Sequence, residues 1–275
     1  MLLLFATSTA NARVLQNVRR KNMPERKSEI AFTLTGWFSG RDVDALARCL
    51  PQREHLLPKR GEPGRSFNGI RWTKKALAWL DGCQVGKCKF NFPASDVRQL
   101  LMGRSIEEKK SIYYDLVHKL TWRYKKGRKR ERIEAHQLRR DACSSHDLFH
   151  WLLNGPLKPS DRVIWRKHFG GKTMHPTLKT LKLAQWKTGQ HRCIGTTLLF
   201  SDHYYYDSVD LLQLTPMGPE RIAFRLQVRE RFDVFKSFWA RRFRGRIRAR
   251  ISQRKTEMLQ KRVTRCLGSL QASKN

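Results

Sequence analysis

Acidic residues are the scarcest chemistry in this chain. Its 275 residues carry 23 Asp and Glu against 57 Lys and Arg, a formal net charge of +34. Solubility alone asks for far less. Carboxylates are the usual acids, bases and metal ligands of enzymes, so their scarcity argues against an ordinary small-molecule enzyme. Cysteine is sparse as well. Cys49, Cys83, Cys88, Cys143, Cys193 and Cys266 are spread along a long chain. That excludes a small disulfide scaffold and makes a reducing compartment the default expectation. No apolar run approaches the roughly 18 residues of a transmembrane helix. Neither a GxxxxGK(S/T) phosphate loop nor GxGxxG occurs, so nucleotide hydrolysis by those routes has no support, and no cofactor is implied.

What is present points to a folded protein with a polyanionic partner. Apolar residues make up 40 % of the chain, with eight Trp and 14 Phe, which supplies a core and argues against disorder throughout. A basic protein of this kind fits nucleic acid first and an anionic membrane surface second. At the start of the chain, Met1 to Phe5 is apolar and Ala10-Asn11-Ala12 resembles a cleavage site. The apolar run is short for a secretory signal and no basic residue precedes it. The absence of acids before Glu25, with Arg13, Arg19, Arg20 and Lys21, fits a basic tail or a mitochondrial presequence. The expected location is cytoplasmic or nucleoid-associated, with mitochondrial as the alternative.

Hydrophobic spacing predicts an α+β chain, mostly helical, in two small blocks. Residues 1–28 form the tail, 29–140 the first block, 144–228 the second, and 229–275 a long basic helix with its tail. Ile30, Phe32 and Leu34 alternate as in a half-buried strand. Val43, Leu46, Ala47 and Leu50 give one helical face. Ser105 and Glu108 form a capping box ahead of Ile112, Tyr113, Leu116 and Leu120. In the second block, a helix capped by Ser144 with Asp147 and ended by Asn154-Gly155-Pro156, a second from Ser160 to Gly170 and a third at 176–187 are expected, with a strand at 192–200 and, at 221–228, either a strand or the start of the final helix. Asp207 to Leu214 reads as a further capped helix. Phe232, Phe235, Trp239, Phe243, Ile247 and Ile251 then step by three or four, with Arg246, Arg250 and Arg254 on another face.

Three stretches concentrate the functional signal. Residues 162–201 hold no Asp or Glu in forty positions. Their order of helix, glycine turn, helix and strand is that of a helix-turn-helix or winged helix. On that reading residues 176–187 enter a DNA groove, and Thr177, Lys179, Thr180, Lys182, Gln185 and Lys187 face outward. Lys179 and Lys182 would meet phosphate or guanine and Gln185 adenine. The basic tracts at 123–140, with Arg128, Lys129 and Arg130, and at 241–255, with Arg246, Arg250 and Arg254, would hold the backbone. The aromatic stripe beside the second tract reads as core, with base stacking and a membrane-surface helix as the other readings.

Three weaker constellations remain. Cys83, Cys88, Cys143, His146 and His150 have some of the spacing of a zinc site, and the plainer reading is buried thiols and surface histidines. Asp202, Tyr204 to Tyr206, Asp207 and Asp210 could hold Mg²⁺ for phosphodiester cleavage, with a tyrosine as nucleophile. His136 and Arg139 match the short HxxR pattern of strand-transfer enzymes. The expectation is a nucleic-acid-binding protein, DNA ahead of RNA, acting as a transcription regulator or a replication or mobile-element accessory. An RNA-binding ribosome-associated or organellar protein and a metal-dependent nuclease are the alternatives.

Overall fold

An antiparallel sheet of eight strands organises the chain. The computed structural model describes residues 14–26, 28–52, 54–57, 72–84, 90–123, 132–168, 177–203, 205–232 and 242–272. The strands are β1 (Gln16–Asn22), β2 (Glu29–Ser39), β3 (His55–Leu56), β4 (Arg162–His168), β5 (Thr177–Thr188), β6 (His191–Ser201), β7 (Tyr205–Pro216) and β8 (Arg221–Phe232). The helices are α1 (Val43–Gln52), α2 (Lys74–Asp81), α3 (Ala94–Leu101), α4 (Ile106–Trp122), α5 (Asp147–Asn154) and α6 (Arg244–Ala272). The strand order is β1-β2-β8-β7-β6-β5-β4-β3, so β1 and β3 are the edges. Strands β4 to β8 form a meander. β2, from the first expected block, pairs along its whole length with β8, from Glu29 opposite Arg231 to Ser39 opposite Arg221.

Both faces of the sheet are covered. On one face, α1 and α6 pack on Ile30, Phe32, Leu34, Leu181, Leu183 and Leu212 through Leu46, Leu50, Leu259 and Val263. On the other, α2 to α4 cover Val163, Trp165 and Leu178, and α5 with residues 133–143 covers Trp186, Cys193, Val209 and Leu211. Close approach here requires glycine at Gly195, where a Cβ would lie 2.5 Å from Leu152 and 3.0 Å from Trp186. Gly189, at φ +54, turns β5 into β6.

The mostly helical fold with a helix-turn-helix is therefore corrected. Residues 162–168 and 177–188, expected as helices, are β4 and β5; Asp207 to Leu214 lies within β7; and residues 229–232 complete β8 rather than beginning a helix. The cause is two-sided burial. Along β5, Leu178 and Trp186 face α4 and α5 while Leu181 and Leu183 face α1 and α6. A strand buried on both faces shows no clean alternation, and its apolar spacing imitates a helix. Where local signals are strong the expectation holds. The Ser105 hydroxyl accepts the Glu108 amide at 3.1 Å, and the Glu108 carboxylate accepts the Arg104 amide at 2.8 Å.

The cysteines also depart from expectation. Cys49 is bonded to Cys266, stapling α1 to α6, and Cys143 to Cys193, stapling the segment before α5 to β6. Cys83 is disulfide-bonded as well. Among the described residues no cysteine is a free thiol.

Candidate functional site

The α6 side of the sheet gathers charge at one end of its apolar core. Side chains alternate along strands, so Arg166 of β4, Lys179 of β5, Ser208 and Asp210 of β7 and Glu230 of β8 all face α6. Glu54 joins them from just beyond α1, and α6 contributes Lys255 and Arg262. Lys255 Nζ donates to both oxygens of Asp210, at 2.7 and 2.6 Å, and lies 3.1 Å from Glu230 Oε1. Lys179 Nζ donates to the same Glu230 oxygen at 3.1 Å. Arg166 donates from Nη1 to Asp210 at 2.9 Å and from Nη2 to Glu54 at 2.7 Å. Arg262 Nη2 donates to Glu54 at 3.0 Å.

Electrostatics decides the ionisation of this network. Burial disfavours the charged form of Asp210, but Lys255, Arg166 and Lys179 outweigh it and hold the carboxyl well below its usual range. Burial is likewise overcome at Glu230 by Lys179 and Lys255, and at Glu54 by Arg166 and Arg262. Tyr205 lies beside this cluster with Lys179 Nζ 4.1 Å from its ring centre. Burial, and then the charge of Glu230, push its phenol well above the ordinary value of 10.0, so it stays protonated.

Two small cavities flank the network. One, of about 60 Å³, has walls from α1, α6 and the apolar sheet face, including Leu50, Leu183, Ile194 and Leu259. The other, of about 110 Å³, opens between β4, β5, β7, β8 and α6. Arg166, Lys167, Lys179, Arg254 and Lys255 line it, with Glu230 the single acid among the described residues. Tyr205, Ile251 and Met258 complete it with apolar surface.

Outside the cavities, α6 turns a basic face to solvent. The helix has nine Arg and Lys and one acid, Glu257. Arg246, Arg250, Arg254, Lys261 and Arg265 are exposed, whereas Lys255 is buried and Arg262 is held by Glu54. The edge strand β1 lies alongside, with Arg19, Arg20 and Lys21 exposed and Arg20 Nη1 donating to Ser252 of α6 at 3.3 Å.

The residues singled out by sequence are redistributed by this fold. Thr177, Lys179 and Arg254, expected in two separate features, line one cavity. Gln185 and Lys187 are exposed on β5. Thr180 is buried, sharing a hydrogen bond of 2.8 Å with Thr121. Lys182 is buried on the opposite face of the sheet, 3.5 Å from Asp161 and with its ammonium 3.3 Å from the centre of the Trp151 ring. An outward groove-reading role for Thr180 and Lys182 is therefore corrected, because β5 is a central strand. Arg128, Lys129 and Arg130 lie outside the described residues, as do Tyr204, Cys88, Trp239 and the start of the chain. Sequence reasoning passed over Glu54 and Glu230, and it did not single out Lys255 or Arg166. No local signal marks them, because each acquires its role from partners more than twenty residues away.

The two metal readings fail on geometry. Asp202 is fully buried among aromatic residues, accepting from the Tyr113 hydroxyl and, at 2.8 Å, from the Leu178 amide. Asp207 faces the α5 side and accepts from the Ile133 and Ser208 amides, at 2.6 and 2.8 Å, while Asp210 faces α6. Alternation along β7 thus separates the carboxylates. Cys143 is consumed in a disulfide, and His146 caps α5 by accepting the Leu148 amide at 3.1 Å. Among the described residues no group of three or more His, Cys, Asp or Glu is placed to hold a metal, and no helix is long and apolar enough to cross a membrane. Compared with protein-family models, curated proteins and solved structures, the chain matches none of them.

Proposed function

We propose that this protein binds nucleic acid through its phosphates, along the outer face of α6. The observation that carries this reading is the exposed row Arg246, Arg250, Arg254, Lys261 and Arg265 on a helix with a single acid. The inward cations Lys255 and Arg262 of the same helix pair with the buried acids Asp210, Glu230 and Glu54, whereas the row is exposed. Arginine binds phosphate oxygens bidentately, and a run of such contacts gains affinity by releasing counterions. The row from Arg246 to Arg265 spans about 28 Å at roughly 1.5 Å per residue, enough to follow several phosphates of one strand. Phosphate-led binding is common to DNA and RNA, so the reading is of nucleic acid as a class. Base readout by residues 176–187 forms no part of it.

Fluorescence anisotropy with labelled duplex DNA, single-stranded DNA and hairpin RNA tests the reading. Binding should be tight at low salt and weaken steeply as salt rises. Cross-links should concentrate on peptides of α6. Absence of binding to all three ligands at low salt would remove the reading.

A further inference from the structure

We propose that the sheet face turned away from α6, where it runs out to the β1 edge, binds the bases of single-stranded nucleic acid. The cover that α5 and residues 133–143 give this face reaches Val209 and Leu211 of β7. Beyond it, strand register and side-chain alternation bring Thr35 and Trp37 of β2, Ala223 and Arg225 of β8 and Thr215 of β7 onto one surface. All five are half-buried, and neither Trp37 nor Ala223 belongs to an apolar cluster of the core. Arg221 lies over Trp37, its guanidinium carbon 4.3 Å from the ring centre. A flat cation on a flat ring is a stacking platform. A base can stack on the guanidinium plane or take its place on the indole.

Two polar atoms beside this platform point to the same ligand. Gln213 and Arg225 are paired across β7 and β8, and neither Gln213 Oε1 nor Arg225 Nε has a hydrogen-bond partner. Gln213 is only 8 % exposed, and its amide nitrogen is already committed, 3.1 Å from His191 Nδ1 and 3.3 Å from the Thr215 hydroxyl. The two open atoms are one acceptor and one donor. An unpaired base offers a donor and an acceptor together on its Watson–Crick edge, whereas a duplex has spent that edge on its own partner strand. Arg225 is loosely held, its Nη1 3.6 Å from Asp141, so its side chain can shift to admit a base edge.

The rim of this face suits the strand's phosphates. Arg19 and Lys21, opposite Thr35 and Thr33, are exposed on β1, and Arg139 and Arg140 are exposed where the cover ends. Two described acids stand near, and both are engaged: Asp141 by Gln227 at 2.7 Å and by Arg225, and Glu220 by Arg41. The acids outside the described residues are tethered elsewhere. Asp233 directly follows Phe232, which is opposite Tyr205, and Glu131 is two residues before Ile133, whose amide donates to Asp207. From Asp207 to Thr215 is about 26 Å at roughly 3.3 Å per residue, while two residues of chain reach about 7 Å. Glu62 follows Leu57, whose amide donates to Val163 of β4 near the opposite edge of the sheet. The inference rests on the nucleic-acid reading above for its class of ligand, but its site is separate from the row on α6.

The experiment compares a mixed-sequence single strand of about 12 nucleotides with an abasic strand of equal length, which keeps the phosphates and lacks the bases, and with a polyglutamate peptide. Anisotropy is read for wild type, for Trp37→Leu with Arg221→Gln, and for Arg246→Ala with Arg250→Ala. Wild type should bind the base-bearing strand about tenfold or more tightly than the abasic one. The sheet-face variant should lose most of that preference with abasic binding little changed, and the row variant should weaken both strands while keeping it. Equal binding of the two strands overturns the site and leaves the nucleic-acid reading standing, as does a preference that survives in the sheet-face variant. A preference lost in the sheet-face variant, with no effect of the row variant, supports the site and removes binding along α6. Polyglutamate binding as tight as the base-bearing strand, and lost in the sheet-face variant, overturns the proposal in favour of an acidic protein partner. A second measurement covers a sheet-face variant that fails to fold. A strand carrying 5-iodouracil, irradiated on wild type, should attach to Trp37, and attachment to other peptides alone overturns the site.

Discussion

Lys255 of α6 and Asp210 of β7 form the closest ion pair between the C-terminal helix and the centre of the sheet, at 2.7 and 2.6 Å, with both side chains almost wholly buried. Lys255 and Arg262 dock the helix on buried acids, and Arg246, Arg250, Arg254, Lys261 and Arg265 are exposed.

Removing one partner should be far more damaging than the pair's own net contribution. Asp210→Ala leaves Lys255 and Arg166 buried with only Glu54 and Glu230 to answer them. The expected loss is about 3–5 kcal/mol of unfolding free energy. Lys255→Met should cost less, because Arg166 and Lys179 still surround Asp210 with positive charge. Urea unfolding followed by tryptophan fluorescence measures both. Equal, small losses would mean that the network is solvated.

The acids fix how stability responds to pH, and two signs oppose each other. Asp210, Glu230 and Glu54 titrate below their ordinary values of 3.8, 4.5 and 4.5 in the folded chain. Their contribution is fully present above about pH 4.5 and is lost as pH falls through the depressed values. Asp207 behaves in the opposite sense. Burial, only partly offset by its two backbone amide donors, raises its carboxyl from 3.8 to about 6. The folded state then holds a proton that the unfolded state has released, so this contribution declines as pH rises from about 4 to 6. Carboxyl carbon NMR should show Asp207 titrating near pH 6 and Asp210 still ionised at pH 3. A midpoint for Asp207 near 3.8 would contradict the account.

The two defined disulfides anchor elements distant in sequence. The bond from Cys49 to Cys266 spans 217 residues and holds α6 against α1 beside the charge network. Replacing both cysteines by serine should cost about 2–5 kcal/mol. Because the bond holds one end of α6, reduction should also speed proteolysis after Arg262 and Arg265. Equal proteolysis with and without reductant would mean that packing by Leu259 and Val263 alone holds the helix.

Lys182 discriminates between the expected fold and the observed one. As an outward residue of a recognition helix, its loss would weaken binding to nucleic acid. As a buried cation stacked over Trp151 and beside Asp161, its replacement by Ala should lower stability by roughly 2–4 kcal/mol and leave the salt dependence of binding unchanged. Thermal unfolding and anisotropy on one variant separate the two.

Local signals were legible in the sequence. The Ser105 cap, the apolar face of α1 and the alternation of Ile30, Phe32 and Leu34 each need only neighbouring residues, and each is present. The central strands needed partners that sequence does not supply. β5 and β7 are apolar on both faces, so their periodicity imitated helices. The acid-free window from 162 to 201 was read as an open basic surface, yet Arg166, Lys179 and Lys182 are answered by Glu54, Asp210, Glu230 and Asp161, all from outside the window. A cation's burial depends on acids that arrive through the fold. The exposed arginines of α6 were legible because a helix places residues four apart on one side without tertiary help.

The most direct measurement is the slope of log binding constant against log salt for a duplex DNA, in wild type and in Arg246→Ala with Arg250→Ala. Each phosphate neutralised contributes about 0.9 to that slope, so two lost contacts should reduce its magnitude by about 2, with the fold unchanged. A slope and affinity indistinguishable from wild type would contradict binding along α6.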